Sequence, residues 1–252
     1  MCERAQGLRR PGGRDKDGAI MTDAAQPAHW RVQVIPHGAE GQSVVVIDGF
    51  VADPDGWVED AAMLAFAPMG QHYPGIRAAV PRPTLAPLLA ALAPVAAKVF
   101  GLSALAVVDA FYSLVTTPPA ALAPIQRLPH VDETSPTRLA LLHYLSRDER
   151  SGTAFFRHRT TGFETIDAAR LAPYRAALAA DVARHGMPAP GFIHGDTALF
   201  EQVARHDGRF NRAILYRSHA LHCAAIPADV ALGADPHAGR LTVNTFLDGT
   251  AA

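Results

Sequence analysis

The sequence predicts a mainly β protein of the α+β type, a jelly-roll barrel buttressed by helices. Short β-branched and aromatic runs crowd the second half, helix-forming stretches stand before and among them, and neither an internal repeat nor a regular βαβ alternation is present. Residues 31–35 and 43–47, rich in valine and isoleucine and separated by His37, Gly38 and Gly41, read as the opening strands. Asp53 or Asp55 is placed to cap a helix reaching Phe66. Thr84 precedes a second helix over 85–100, whose leucines and alanines recur at helical spacing until Gly101 stops it. The loop 71–76 between them, Gln71, His72, Tyr73, Pro74, Gly75 and Ile76, is dense in polar and aromatic groups. That density suits a substrate-facing loop as well as a plain turn.

Strand character grows from Leu105 onward. Residues 105–116, 138–146, 153–158, 209–217 and 240–247 are β-branched or aromatic-rich runs bounded by turn residues. A helical hairpin, 166–185 and then 196–205 with Asp196 as its N-cap, interrupts the series before the last two strands.

Length and composition bound the function. The 252 residues, 49% hydrophobic and 19% charged, suffice for one sizeable core, so one domain over 30–252 is expected. Residues 1–29 lack helical or strand periodicity and read as a disordered tail, with Met21 as an alternative start. Lys+Arg 23 against Asp+Glu 24 supplies no broad basic surface, which argues against a nucleic-acid partner. No secretory signal is recognisable, and the longest apolar region, 85–99, holds Pro94 and is shorter than the ~20 residues of a membrane span. The two cysteines, Cys2 and Cys223, stand at opposite ends of the sequence, so no disulfide framework is expected and a reducing cytoplasm fits.

The chemistry starts at His130 and Asp132. One residue separates them, which on an extended segment puts both side chains on the same face, where they can share one ion. A mononuclear Fe(II) oxygenase needs a second imidazole and three open positions, the facial-triad arrangement. His219 and His222, beyond the apolar run 213–216, both compete for the distal place, and two imidazoles three positions apart are not separated by their chemistry. Twelve histidines also generate a second His-x-Asp triplet, His194 to Asp196, but it sits close to the distal histidines and Asp196 is better used as a helix cap. Further on, Arg240, Thr242 and Asn244 alternate with apolar residues, so one strand face would present a guanidinium, a hydroxyl and an amide together. A guanidinium pairs bidentately with carboxylate, as the distal carboxylate of 2-oxoglutarate requires.

In that order these residues resemble the 2-oxoglutarate and Fe(II)-dependent dioxygenases related to prolyl hydroxylase, and more closely a bacterial group that shares the motif order. The resemblance runs over about Val44 to Leu247 and rests on Tyr73, Pro74, Gly75 and Arg77; Pro129, His130 and Asp132; Gly152, Thr153, Phe155 and His158; Asn211, Arg212, Leu215 and Tyr216; Leu221 and His222; and Arg240. It implies a cupin-like double-stranded β-helix core, Fe(II) held by His130, Asp132 and His222 rather than His219, and 2-oxoglutarate anchored by Arg240. Ser151 departs from the pattern, standing where many prolyl hydroxylases carry a glycine. The expected reaction consumes O2, with ascorbate as a reductant, and hydroxylates an amino acid, peptide or small metabolite with release of succinate and CO2. Tyr112, Tyr144, Thr242 and Asn244 are candidates for further cosubstrate hydrogen bonds, and His72, Tyr73 and Arg77 for substrate contacts. Two rivals use the same residues: a jelly-roll ligand-binding protein without activity, and a Zn(II) hydrolase with Arg240 as a substrate clamp.

Overall fold

The computed structural model describes residues 19–21, 27–70 and 72–251. Most of the expected tail, Cys2 and Gln71 lie outside the described residues. In chain order the strands are β1 (Ala19–Met21), β2 (Arg31–His37), β3 (Gln42–Asp48), β4 (Ala67–Pro68), β5 (Gly75–Ala79) and β6 (Leu102–Val115). They continue with β7 (Arg138–Tyr144), β8 (Gly152–His158), β9 (Phe200–Asp207), β10 (Arg212–Arg217), β11 (His222–Ala225) and β12 (Leu241–Ala251). The helices are α1 (Pro54–Ala62), α2 (Arg82–Phe100) and α3 (Ala168–His185).

The strands form two antiparallel sheets, a large one in the order β1-β2-β3-β10-β7-β12-β6-β5-β4 and a small one in the order β11-β8-β9. His130 extends the small sheet by an isolated antiparallel bridge to His222 on β11. From β6 onward the chain therefore winds between sheets: β6 large, the His130 segment small, β7 large, β8 and β9 small, β10 large, β11 small, β12 large. That winding is a double-stranded β-helix, the jelly-roll core expected from the late strand series.

Period-two alternation explains how the sheets pack. On the inner face of the large sheet Val44, Val46, Ala140, Leu142, Ile214 and Tyr216 meet Phe155 of the small sheet. The residues between them, Val45, Ile47, Leu139, Leu141, Ala213 and Leu215, point the other way and are covered by Leu92, Val95, Ala96 and Phe100 of α2. By length and composition alone α2 could cross a membrane, a longer apolar helix than the sequence expectation allowed. Gly101, at φ 64, closes it in the left-handed conformation that costs a glycine least. Helix α3 packs behind the small sheet through Tyr174 and its partly buried leucines, and the Asp167 carboxylate caps its start by accepting from the Arg170 N–H at 2.8 Å.

Several expectations need correction. The segment 196–205 is not a helix: β9 pairs along the whole of β8, and Asp196 accepts from the Gln202 N–H at 2.8 Å as a loop brace. Apolar residues at 199, 200, 203 and 204 imitate helical spacing, but the open edge of β8 supplies backbone partners that an isolated helix would lack. Of Asp53 and Asp55, Asp53 caps α1, which stops at Ala62 short of Phe66. Within the expected tail, Ala19–Met21 pairs with β2, whose outer edge would otherwise carry unmet backbone groups.

Asn211 ties the start of β10 to the loop after β3. It sits at φ 59, and its side chain accepts from the Val51 N–H at 3.0 Å and donates to the Val51 carbonyl at 2.8 Å. Asn211→Ala removes both bonds and keeps the left-handed backbone, so chemical denaturation is expected to show a loss of about 2–4 kcal/mol. A loss under ~0.5 kcal/mol would show that the loop is held elsewhere.

His37, His143 and His206 are buried, and desolvation pushes each pKa down to about 4, in His37 against the opposing pull of Glu164. The unfolded chain takes up these protons near pH ~6.5, so stability is complete above that value and falls as the pH drops toward 4. The melting temperature should be level above neutrality and decline through this window. Replacing His37 and His206 by glutamine should flatten the decline; an unchanged slope would place the acid sensitivity in other groups.

Candidate active site

The backbone assembles the site. His130 and His222 are direct antiparallel partners, each N–H donating to the other's carbonyl at 2.9 Å, and the Asp132 N–H donates to the Ser218 carbonyl at 2.9 Å. Cross-strand partners carry their side chains on one face, so the two imidazoles stand side by side with ring centroids 4.6 Å apart. Asp132, two residues from His130, returns to the same face. His222 Nε2 lies 3.4 Å from one Asp132 carboxylate oxygen, and His130 Nε2 lies 3.7 Å from the other. One ligand atom from each of the three falls within 4.8 Å of the others.

This donor set fits a divalent first-row metal. The His222 Nδ1–H donates to the Ala220 carbonyl at 2.9 Å, which leaves Nε2 as the ring nitrogen turned toward the carboxylate. His130 opens onto the cavity, yet the protein packed around it desolvates the ring and, with His222 beside it, pushes its pKa down to about 4. The cluster therefore offers two imidazole nitrogens and a carboxylate oxygen on one side of an open space.

That space is a cavity of about 460 Å³, bordered by the cluster and by Tyr73, Arg77, Thr153, Tyr216, Arg240 and Asn244 among others. Arg240 is 3% exposed, immediately before β12. Its Nε donates to the Ser151 hydroxyl and one Nη to the Gly152 carbonyl, both at 3.2 Å, and no carboxylate pairs with it among the described residues. Thr242 donates to the Asn244 Oδ1 at 2.8 Å, which places these two on the inner face as the alternation predicts. Asn244 borders the cavity, whereas Thr242 and Tyr144 stand behind its wall, the Tyr144 hydroxyl 2.7 Å from that of Thr153.

Tyr112 is placed differently. It pairs with Val243 rather than Thr242 and so projects from the outer face into the cluster under α1, with its ring 6.0 Å from that of Trp57. It is a core residue and cannot reach the cavity. His219 also points away, its Nδ1 3.4 Å from the Ser135 carbonyl oxygen, and His194 is exposed outside the cavity lining. His72 lines the cavity from an exposed position, while Tyr73 and Arg77 are partly buried. The Arg77 guanidinium carbon is 3.9 Å from the centre of the Tyr73 ring, a stacked cation–π contact. Sequence reasoning missed Arg127 and Arg175, which also border the cavity and carry no local pattern. It treated Ser151 only as a departure, although its hydroxyl accepts from Arg240.

Fold and site together define a jelly-roll protein with a His-Asp-His cluster of metal-binding geometry inside its barrel. The chain matches, over residues 28–247, the family described as "Family of unknown function (DUF6445)", and it belongs to that family. No curated protein matches the chain. Among solved structures, similarity extends to the non-heme alpha ketoglutarate dependent carbocyclase SnoK from nogalamycin biosynthesis, at 14% identity and TM-score 0.44 over 82% of this chain and 80% of that one. It extends also to apo HygX from Streptomyces hygroscopicus, at 14% identity and TM-score 0.42 over 84% of each chain.

Asp132→Ala removes the only carboxylate of the cluster and is expected to weaken Mn(II) binding, measured by calorimetry, at least about tenfold. His219→Ala and His194→Ala should leave it unchanged. Equal binding by wild type and Asp132→Ala would move the metal elsewhere.

Proposed function

We propose that this chain is a non-haem Fe(II) and 2-oxoglutarate-dependent dioxygenase that hydroxylates an amino acid, peptide or small metabolite. The supporting observation is a buried guanidinium, without a carboxylate partner among the described residues, opening onto the same cavity as two imidazoles and a carboxylate. Burying an uncompensated charge is costly, and a dicarboxylate cosubstrate offsets that cost on binding.

His130, Asp132 and His222 would hold Fe(II) by one face and leave three positions for cosubstrate and O2. When bound, iron and 2-oxoglutarate supply the oxidative chemistry, with succinate and CO2 as products. The chain's own residues position and desolvate. The Ala220 carbonyl fixes the orientation of the His222 ring, and the backbone bridge fixes that of His130. Ser151 and Gly152 hold the Arg240 guanidinium in place and leave its remaining donors free, so that they would pair with the distal carboxylate with little reorganisation. Thr153 and Asn244 border the same cavity with a hydroxyl and an amide, and the Tyr144 hydroxyl fixes the rotamer of Thr153.

Succinate formation from 2-oxoglutarate, dependent on Fe(II) and supported by ascorbate, tests this reading, because even without the native substrate an oxygenase turns over slowly uncoupled. The ligand-binding and Zn(II)-hydrolase readings give no succinate. Arg240→Ala should raise the 2-oxoglutarate concentration for half-maximal turnover roughly 30- to 150-fold, the equivalent of about 2–3 kcal/mol for a desolvated charge-assisted pair. An unchanged requirement would take Arg240 out of the cosubstrate site.

A further inference from the structure

The cavity carries more positive charge than metal and cosubstrate chemistry would use. Four arginines border it, Arg77, Arg127, Arg175 and Arg240, against one carboxylate, Asp132. Among the described residues none of these four forms an ion pair with an acidic side chain, although ten other guanidinium–carboxylate contacts within 4.0 Å are present elsewhere in the molecule. On the reading proposed above, a divalent metal, Asp132, doubly charged 2-oxoglutarate and Arg240 sum to zero, which leaves Arg77, Arg127 and Arg175 without a counter-charge.

Arg77 is held ready for one. It stands on β5 opposite Ser113 of β6, its guanidinium stacks 3.9 Å over the Tyr73 ring, and its buried Nε–H has no protein acceptor. Desolvation pulls its pKa down while the nearby Tyr73 and Asp132 pull it up, so the cation lies in a partly dry place within electrostatic reach of the metal cluster. Arg127 is oriented by two donations to the Leu122 carbonyl, at 2.9 and 2.6 Å. The wall also carries apolar side chains, Val115, Leu142, Phe192, Ile193 and Phe246, beside a few neutral polar ones such as Thr153 and Asn244.

We infer that the primary substrate is an organic anion with an apolar body, a carboxylate in the first instance, which Arg77 grips beside the metal cluster while the arginines at 127 and 175 draw it in. The inference rests on the oxygenase reading of the same cavity. A planar guanidinium stacked on an aromatic ring and lacking an acceptor is pre-organised for bidentate pairing with an oxyanion, and an uncompensated basic cleft raises the local concentration of anions and their rate of binding. The neutral isostere of the same body leaves the Arg77 donors unmet and binds more weakly.

The test is calorimetric titration of the Mn(II)- and 2-oxoglutarate-loaded protein, without O2, with aryl and alkyl carboxylates, N-acetyl-L-phenylalanine and 3-phenylpropionate among them, each paired with its neutral amide. Carboxylates are expected to bind about tenfold or more tightly than their amides, and added salt should erode the difference. Arg77→Gln should abolish the discrimination while 2-oxoglutarate still binds, and Arg77→Lys should restore part of it. Arg175→Gln, at an exposed helix position, should weaken carboxylate binding less while leaving the fold intact. The absence of carboxylate selectivity across the panel, or its survival in Arg77→Gln, overturns the inference. Loss of 2-oxoglutarate binding in Arg77→Gln overturns it too, since Arg77 would then serve the cosubstrate. Wild-type protein that binds no 2-oxoglutarate at all would instead sink the oxygenase reading beneath it.

Discussion

A reciprocal pair of backbone hydrogen bonds, between residues 130 and 222, is the constraint on which the site depends. Two imidazoles from distant parts of the sequence become nearest neighbours because their peptide groups are antiparallel partners, and the carboxylate joins them because strand side chains repeat every second residue. The side chains need no long-range adjustment to converge. The winding of the chain between two sheets brings the segments together, and the pleat aims the ligands inward. A slip of one residue in that register would turn one imidazole to the opposite face and dismantle the cluster.

The same alternation organises the rest of the molecule. In the first half of β12, Asn244 and Phe246 border the cavity, while Leu241 and Val243 pack under the helices. Helices α1 and α2 stiffen the outer face of the large sheet, and α3 covers the small one. In the barrel interior Ser151 and Gly152 hold Arg240. Inner-face groups here serve ligands, and outer-face groups serve stability. Tyr112 shows the division: it is buried, aromatic and adjacent to the site in sequence register, but one position out of phase with it.

Much of this was legible because it is written in local period. Most strands of the second half, the helix behind the small sheet and the stop of α2 at Gly101 follow from patterns a few residues long. The pairing of His130 with Asp132 on one face needed only an extended backbone, and the choice of His222 over His219 came from a family resemblance in motif order. Where pairing is decided by a distant partner the reading failed. Residues 196–205 look helical until β8 offers an edge, and β11 is four residues long, too short for a periodicity of its own. The arginines at 127 and 175 lie in a loop and on a helix surface, and only the closed barrel shows that they look into one cavity.

The central claim is that metal and dicarboxylate occupy one cavity as coupled ligands, and linkage tests it without any turnover. Calorimetric titration of 2-oxoglutarate into the protein with and without Mn(II), paired with Mn(II) titrations with and without 2-oxoglutarate, should give one coupling factor from both directions, with each ligand strengthening the other. Binding of 2-oxoglutarate that is indifferent to the metal, or absent in its presence, would contradict the account.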